Sequence, residues 1–126
     1  MSSEAMAEIA AEVLLGGFDF IKDDELTLDD PLSPFEERVP HMVKRLAEVS
    51  EECGERKVFF ANIIDSPLRS IERMAFAEAA GADGLVVASG MQGIEFIREV
   101  RARCRVPILA HNAGIDMQTR HPRYGV

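Results

Sequence analysis

Apolar positions along the chain switch between a helical and a strand period, and the switches mark out eight elements. In "SSEAMAEIAAEVLL", Met6, Ile9, Val13 and Leu14 recur at helical spacing behind a capping serine, Ser2 or Ser3, with acidic residues in the first turn. Gly16 and Gly17 stop that helix. "FDFIKDD", residues 18–24, reads as a strand, and "LTLDDPLSP" as a loop whose prolines and paired aspartates suit neither regular structure. The helical pattern returns from Pro34, with Val39, Met42, Val43, Leu46 and Val49 on one face and Gly54 as its stop. Pro40 falls inside the first turns, a position from which it can bend them. "KVFFANII" is a nearly continuous apolar strand, as in a parallel sheet covered on both faces. "SPLRSIERMAFAEAAG" is a helix with Ser66 as cap, Pro67 at its first position and Gly81 as stop. "DGLVVAS" then reads as a strand, "GMQGIEFIREVRARC" as a helix and "VPILAHNAG" as a strand.

The order is therefore αβαβαβαβ, which implies right-handed crossovers and parallel strands in an α/β fold. Two architectures satisfy it: an open doubly wound sheet, or half of a (β/α)8 barrel. A complete barrel takes about 250 residues, and this chain of 126 residues holds about half of one. A doubly wound sheet of the flavodoxin type suits the length but starts with a strand, whereas here a helix comes first. Residues 1–126 read as one folding unit without a linker or low-complexity segment. A half barrel has two open strand edges, so self-association to a homodimer or larger assembly is expected to complete it.

Composition narrows the partners. Hydrophobic residues make up 47% of the chain, enough for a core in one small domain. A formal net charge of −8 without a basic stripe argues against nucleic acid as a partner. No apolar run reaches the length of a membrane span, and the acidic, amphipathic start lacks the features of a signal peptide, so a cytoplasmic protein is expected. Cys53 and Cys104 lack the paired spacing of a zinc or redox motif and read as reduced thiols.

The chemistry concentrates in "GGFDFIKDDE", residues 16–25. Strand alternation puts Phe18, Phe20, Lys22 and Asp24 on one face, and Glu25, where strand becomes loop, is placed to turn back toward them. In parallel α/β folds the carboxyl ends of strands carry the active site. Two carboxylates suit a hard cation such as Mg²⁺. An ammonium beside Mg²⁺ repels it. Lys22 must then stand aside, act as an unprotonated base or Schiff-base lysine, or be converted to an anion by carbamylation with CO₂.

"GGFDFIKDDE" resembles the GGxDFxKDDE signature of the RuBisCO large chain and the RuBisCO-like proteins. The resemblance implies that Lys22, Asp24 and Glu25 are Mg²⁺ ligands, Lys22 as its carbamate, and that Asp23 is not a ligand. It covers essentially the whole chain. "ECGERKVFFAN" is similar to the segment leading into the family's third barrel strand, with Asn62 at an asparagine position, and "ILAHNAG" to the fifth strand, where His111 matches a histidine near the substrate. The resemblance thus implies strands two to five of the family's C-terminal barrel domain, with Lys22 and His111 catalytic, and His111, Asn62 and Asn112 substrate-binding.

Departures from the pattern point to a non-carboxylating RuBisCO-like protein. The carboxylases have arginine where this chain has Asn112, which cannot make a charge-assisted bidentate contact to phosphate. Ile115 stands at a second histidine position. The expected parent activity is Mg²⁺-dependent enolisation or isomerisation of a small phosphorylated, sugar-like ketone, of the sulfur-salvage type. The family's first-strand lysine, sixth-strand loop lysine, phosphate-binding glycines and N-terminal domain have no counterpart in the sequence, so the isolated chain is expected to be inactive. Two alternatives stand beside this reading: a receiver-like Mg²⁺-binding module, and a non-catalytic, self-associating half barrel. "SGMQG" at 89–93 reads as a weak phosphate-turn motif or a close-packed helix start, and His41 and His121 as surface residues.

Overall fold

The computed structural model describes residues 1–27 and 29–115. Its elements are α1 (Ser3–Leu15), β1 (Phe20–Lys22), α2 (Phe35–Cys53), β2 (Val58–Asn62), α3 (Pro67–Ala80), β3 (Gly84–Ala88), α4 (Ser89–Gln92), α5 (Ile94–Arg103) and β4 (Ile108–His111). His121 and the stretch "RHPRYGV" lie outside the described residues.

Local chemistry accounts for most element ends. Ser2 Oγ accepts the Ala5 N–H at 3.2 Å and caps α1, while Ser3 is buried with its hydroxyl 2.9 Å from that of Ser33. The buried face of α1 is Ala7, Ala10, Ala11 and Leu14, and the larger Ile9 is 50% exposed. Alanines let α1 lie close against α2, so volume and not hydrophobicity chose that face. Helix α2 has Pro34 at its N-cap, which offers no side-chain acceptor. Asp29 supplies one from the preceding loop, its Oδ1 accepting the Phe35 N–H at 3.0 Å. Pro40 sits within α2, which continues unbroken to Cys53. The expected Ser66 cap on α3 forms without a side-chain hydrogen bond; its carbonyl instead accepts the Ser70 N–H at 2.9 Å. The helix expected over 90–104 is divided into α4 and α5 at Gly93, whose φ of +82° lies in the region that side chains avoid.

The four strands form one parallel sheet in the order β1-β2-β3-β4, each beside its neighbour in sequence. A doubly wound sheet reverses direction at a switch point and covers both faces with helices. Here there is no reversal. Phe59, Ala61, Leu85 and Val87 project from one face into a core shared with Leu14, Phe35, Val39, Leu46, Met74, Ala77 and Val100 of the helices. The chain is thus a half barrel of four parallel strands with alternating helices. Register places Phe20 beside Val58, Lys22 beside Phe60 and Gly84, Asn62 beside Val86 and Leu109, and Ala88 beside His111 on the other, concave face. Phe20 and Phe60 meet edge to face there with ring centroids 6.0 Å apart, and Phe20 is 53% exposed. Among the described residues no strand lies outside β1 or β4.

Charges are buried where loops cross the carboxyl ends of the strands. Arg38, Arg73 and Asp23 are 0%, 1% and 4% exposed. Arg38 Nε lies 3.3 Å from Asp23 Oδ2, and Arg73 Nη1 lies 3.0 Å from Asp65 Oδ2. Both guanidiniums lie over the ring of Phe35, at 5.8 and 5.0 Å from its centroid.

Two predictions follow from these contacts. A Cβ on Gly84 would stand 2.3 Å from the Phe60 ring. Gly84→Ala is therefore expected to destabilise the protein by about 1–3 kcal/mol in denaturant unfolding, and a Phe60→Leu background should remove much of that penalty. The Asp29 carboxyl is held below the usual carboxylate range by the Phe35 N–H first, with Arg73 and Arg69 assisting. A depressed folded-state pKa gives stability that is present above the unfolded value and is lost as pH falls through the folded one. Wild type should lose this contribution below about pH 4. Asp29→Asn, which keeps an oxygen acceptor but no charge, should show a flatter stability profile in that window, and Asp29→Ala should cost about 1 kcal/mol at pH 7.

Candidate functional site

Strand β1 ends at Lys22, so its alternation stops two residues short of Asp24 and does not place it beside Lys22. The chain turns instead, and the turn returns Glu25 to the strand end. Lys22 Nζ donates to Glu25 Oε2 at 2.9 Å and approaches the Asp23 carbonyl at 3.4 Å. From the far edge of the sheet, His111 Nε2 comes within 3.4 Å of the same Glu25 Oε2. Glu25 thus joins the first and fourth strands across the mouth of the half barrel, with all three side chains half-buried.

The electrostatics follow from that placement. The Glu25 carboxyl is held below its ordinary range, chiefly by the Lys22 hydrogen bond, then by its own backbone N–H, with the Lys22 charge adding to this. The Ala113 N–H donates to His111 Nδ1 at 3.1 Å, so Nδ1 is an acceptor and the neutral ring carries its proton on Nε2, facing Glu25. His111 is therefore a donor at the mouth.

Asn62 holds the turn and is fully occupied in doing so. Its Nδ2 donates to the carbonyls of Asp24 and Thr27 at 2.9 and 3.2 Å, and its Oδ1 accepts the Ile64 N–H at 2.9 Å. A role in gripping substrate would require those bonds to break. Asp24 Oδ1 accepts the Leu26 N–H at 2.8 Å, closing the turn. Asn112 follows β4 and is exposed, outside the Lys22, Glu25 and His111 contacts. A cavity of about 520 Å³ lined by Leu26, Thr27, Asp29 and Arg38 opens behind the loop and includes none of those three residues.

The donor set bears directly on Mg²⁺. Among the described residues no three His, Cys, Asp or Glu side chains converge as a metal cluster. Glu25 has an ammonium where a dication would stand. Converting Lys22 to a carbamate would change the pair from cation and anion to two anions with hard oxygens, the donor type that Mg²⁺ prefers, while the Asp24 carboxylate is turned to the Leu26 N–H.

Arg38 and Arg73 are residues that the reading of the sequence passed over, and Asp23, named there only as a non-ligand, is the carboxylate that Arg38 meets. Burial pushes the Asp23 carboxyl up, against the pull of Arg38 first and then of the Asn62 N–H and Lys22. A signal for the arginines was present. Arg38 falls with Phe35, Val39, Met42 and Leu46, and Arg73 with Ser70, Met74 and Ala77, on the buried stripe of each helix.

Comparison with known proteins agrees with the fold. The model of the ribulose bisphosphate carboxylase large chain, catalytic domain, matches residues 1–126. The chain is 33% identical over 126 residues to a ribulose bisphosphate carboxylase-like protein of Chlorobaculum thiosulfatiphilum, covering all of this chain and 29% of that one. It is 35% identical over 113 residues to a 2,3-diketo-5-methylthiopentyl-1-phosphate enolase of Bacillus pumilus, covering 88% of this chain and 28% of that one. The crystal structure of the octameric ribulose-1,5-bisphosphate carboxylase/oxygenase of Pyrococcus horikoshii, in complex with sulfate, superposes with a TM-score of 0.89 at 32% identity, covering 99% of this chain and 30% of that one. The chain therefore spans about three-tenths of the length of these relatives. Matched along its whole length in sequence and in fold, it belongs to the family of the ribulose bisphosphate carboxylase large chain, catalytic domain.

Proposed function

We propose that this chain carries the metal-binding half of an active site that enolises a small phosphorylated, sugar-like ketone. The observation that carries the reading is the meeting of Lys22, Glu25 and His111 at the carboxyl end of the sheet. The similarity to an enolase acting on a phosphorylated diketone supports the substrate class. Asn112, a neutral side chain after His111, favours enolisation over bisphosphate carboxylation.

In this reading Lys22 is first modified. Its neutral Nζ attacks the carbon of CO₂, an N–C bond forms as one C–O π pair moves onto oxygen, and the displaced N–H proton leaves to solvent. The carbamate of Lys22, Asp24 and Glu25 would then hold Mg²⁺. When bound, Mg²⁺ supplies a Lewis acid for a ketone carbonyl. A carbamate oxygen of Lys22 would take the α-proton, the electron pair of the broken C–H bond becoming the new C=C bond as the carbonyl π pair moves onto the ketone oxygen. The His111 Nε2–H serves as a hydrogen-bond donor to a substrate oxygen at the mouth. Asn62 keeps the turn closed beneath these groups. Since the relatives are more than three times as long, turnover is assigned to a longer assembly, and the isolated chain binds metal without turning substrate over.

Assembly follows from the concave face. Phe20, Val58, Phe60 and Leu109, with Asp19 and Arg56 beside them, line a mostly apolar groove, and among the described residues the outer edges of β1 and β4 are open. In the isolated chain a second copy covers them.

Mg²⁺ titration calorimetry with and without bicarbonate tests the site. Bicarbonate-dependent binding is expected in wild type, at least tenfold weaker in Asp24→Ala and absent in Lys22→Met. Binding indifferent to bicarbonate, or none, would leave a half barrel whose fold outlasted its chemistry. Light scattering tests the assembly: an even-numbered oligomer is expected, reverting to monomer in Phe20→Glu, and a wild-type monomer would contradict it.

A further inference from the structure

We propose that Arg38 is a positioning residue for the Lys22, Glu25 and His111 cluster, acting through Asp23 and the Ser33 carbonyl. The proposal rests on reading that cluster as the functional site. Arg38 itself is fully buried and touches none of the three.

The fork of Arg38 closes the loop that carries the site. Its Nε reaches Asp23 Oδ2 at 3.3 Å, where the chain leaves β1, and its Nη1 donates to the Ser33 carbonyl at 2.7 Å, where the chain enters α2. Asp23 Oδ2 also accepts the Asn62 N–H at 3.4 Å. Asp23 is flanked by Lys22 and Asp24, and Asn62 bonds the carbonyls of Asp24 and Thr27. One guanidinium thus fixes both ends of the loop, and through Asp23 the direction in which residues 22–25 depart from the strand.

Stability alone does not explain such a pair. Two ions have been taken from water, and the contacts to Asp23 at 3.3 and 3.4 Å lie beyond the usual range for N–H···O bonds. Arg38 Nη2 has no hydrogen-bond partner among the described residues. Apolar residues of similar volume commonly replace a buried ion pair without loss of stability. They cannot reproduce a fork that reaches the Asp23 carboxylate and the Ser33 carbonyl at once. What the pair contributes is therefore direction: Lys22 meets Glu25, and Glu25 meets His111, only if the turn leaves β1 at the angle that Asp23 sets.

The test separates a positioning role from a structural one. Arg38→Met alone strands a buried carboxylate and should lower the Tm, whereas Arg38→Met with Asp23→Leu should restore it. In that double variant the Leu26 and Thr27 amides should exchange at least tenfold faster than in wild type, with Phe59 and Leu85 protected as before. The nitrogen-15 shifts of His111 should lose the signature of a proton fixed on Nε2. Asp23→Asn with Arg38→Gln, a neutral pair, provides a second variant should the apolar one fail to fold. Retained loop protection and an unchanged His111 tautomer in a stable double variant would overturn the proposal. If wild type binds no Mg²⁺ in bicarbonate, the functional reading fails, while amide exchange and the His111 spectrum still decide the role of Arg38.

Discussion

The buried pair of Asp23 and Arg38 is the constraint on which the arrangement at the strand ends depends. A short strand, β1, delivers a lysine to the mouth and then has to give up its regular path at once. The next side chain, Asp23, turns inward instead of toward the mouth, and a guanidinium from α2 meets it there. Arg73 does the same for β2, with Nη1 3.3 Å from the Ile64 carbonyl and 3.0 Å from the Asp65 carboxylate. Phe35 lies under both cations, so the first turn of α2 is packed between the loops that follow two adjacent strands. Desolvation of this kind costs several kcal/mol per ion. A fold that retains it gains fixed loop geometry at the end of the sheet where parallel α/β proteins place their chemistry.

The sheet supplies the second half of the arrangement. Because the strands run in sequential order and curve one way, residues paired in register point to a common interior. Its lower layers are apolar, with Phe20, Val58, Phe60 and Leu109. Lys22, Asn62 and His111 stand at the carboxyl ends of their strands. Glu25 then links Lys22 of β1 to His111 of β4, the two edges of the sheet. A site assembled from both edges can form only when all four strands hold their order, which ties the chemistry to the integrity of the half barrel.

Much of this was legible in the sequence. Alternation of strand and helix periods gave the element order and the parallel sheet, and the initial helix favoured a barrel over a doubly wound sheet. The stretch at 16–25 pointed to the strand end where Lys22 and Glu25 meet. Less legible was where side chains point once regular structure ends. Alternation placed Asp24 with Lys22, but the strand stops at Lys22, and the Asp24 carboxylate closes the turn on Leu26. Asn62, expected from the resemblance to bind substrate, spends its hydrogen bonds on the loop backbone. Ile9 and the alanine face of α1 were misjudged because close helix packing rewards small volume over hydrophobicity. The arginines on the buried stripes of α2 and α3 carried a signal in their spacing, but charge obscured it.

The central claim is that Glu25 is the shared partner of Lys22 and His111 at the strand ends, and its carboxyl titration measures that most directly. Followed by carboxyl carbon-13 NMR in wild type and in Lys22→Met, Glu25 should titrate below the ordinary glutamate range in wild type and move upward in the variant, because the Lys22 hydrogen bond is the leading cause of the depression. An ordinary or raised midpoint in wild type, or one that the loss of Lys22 leaves unmoved, would contradict the account.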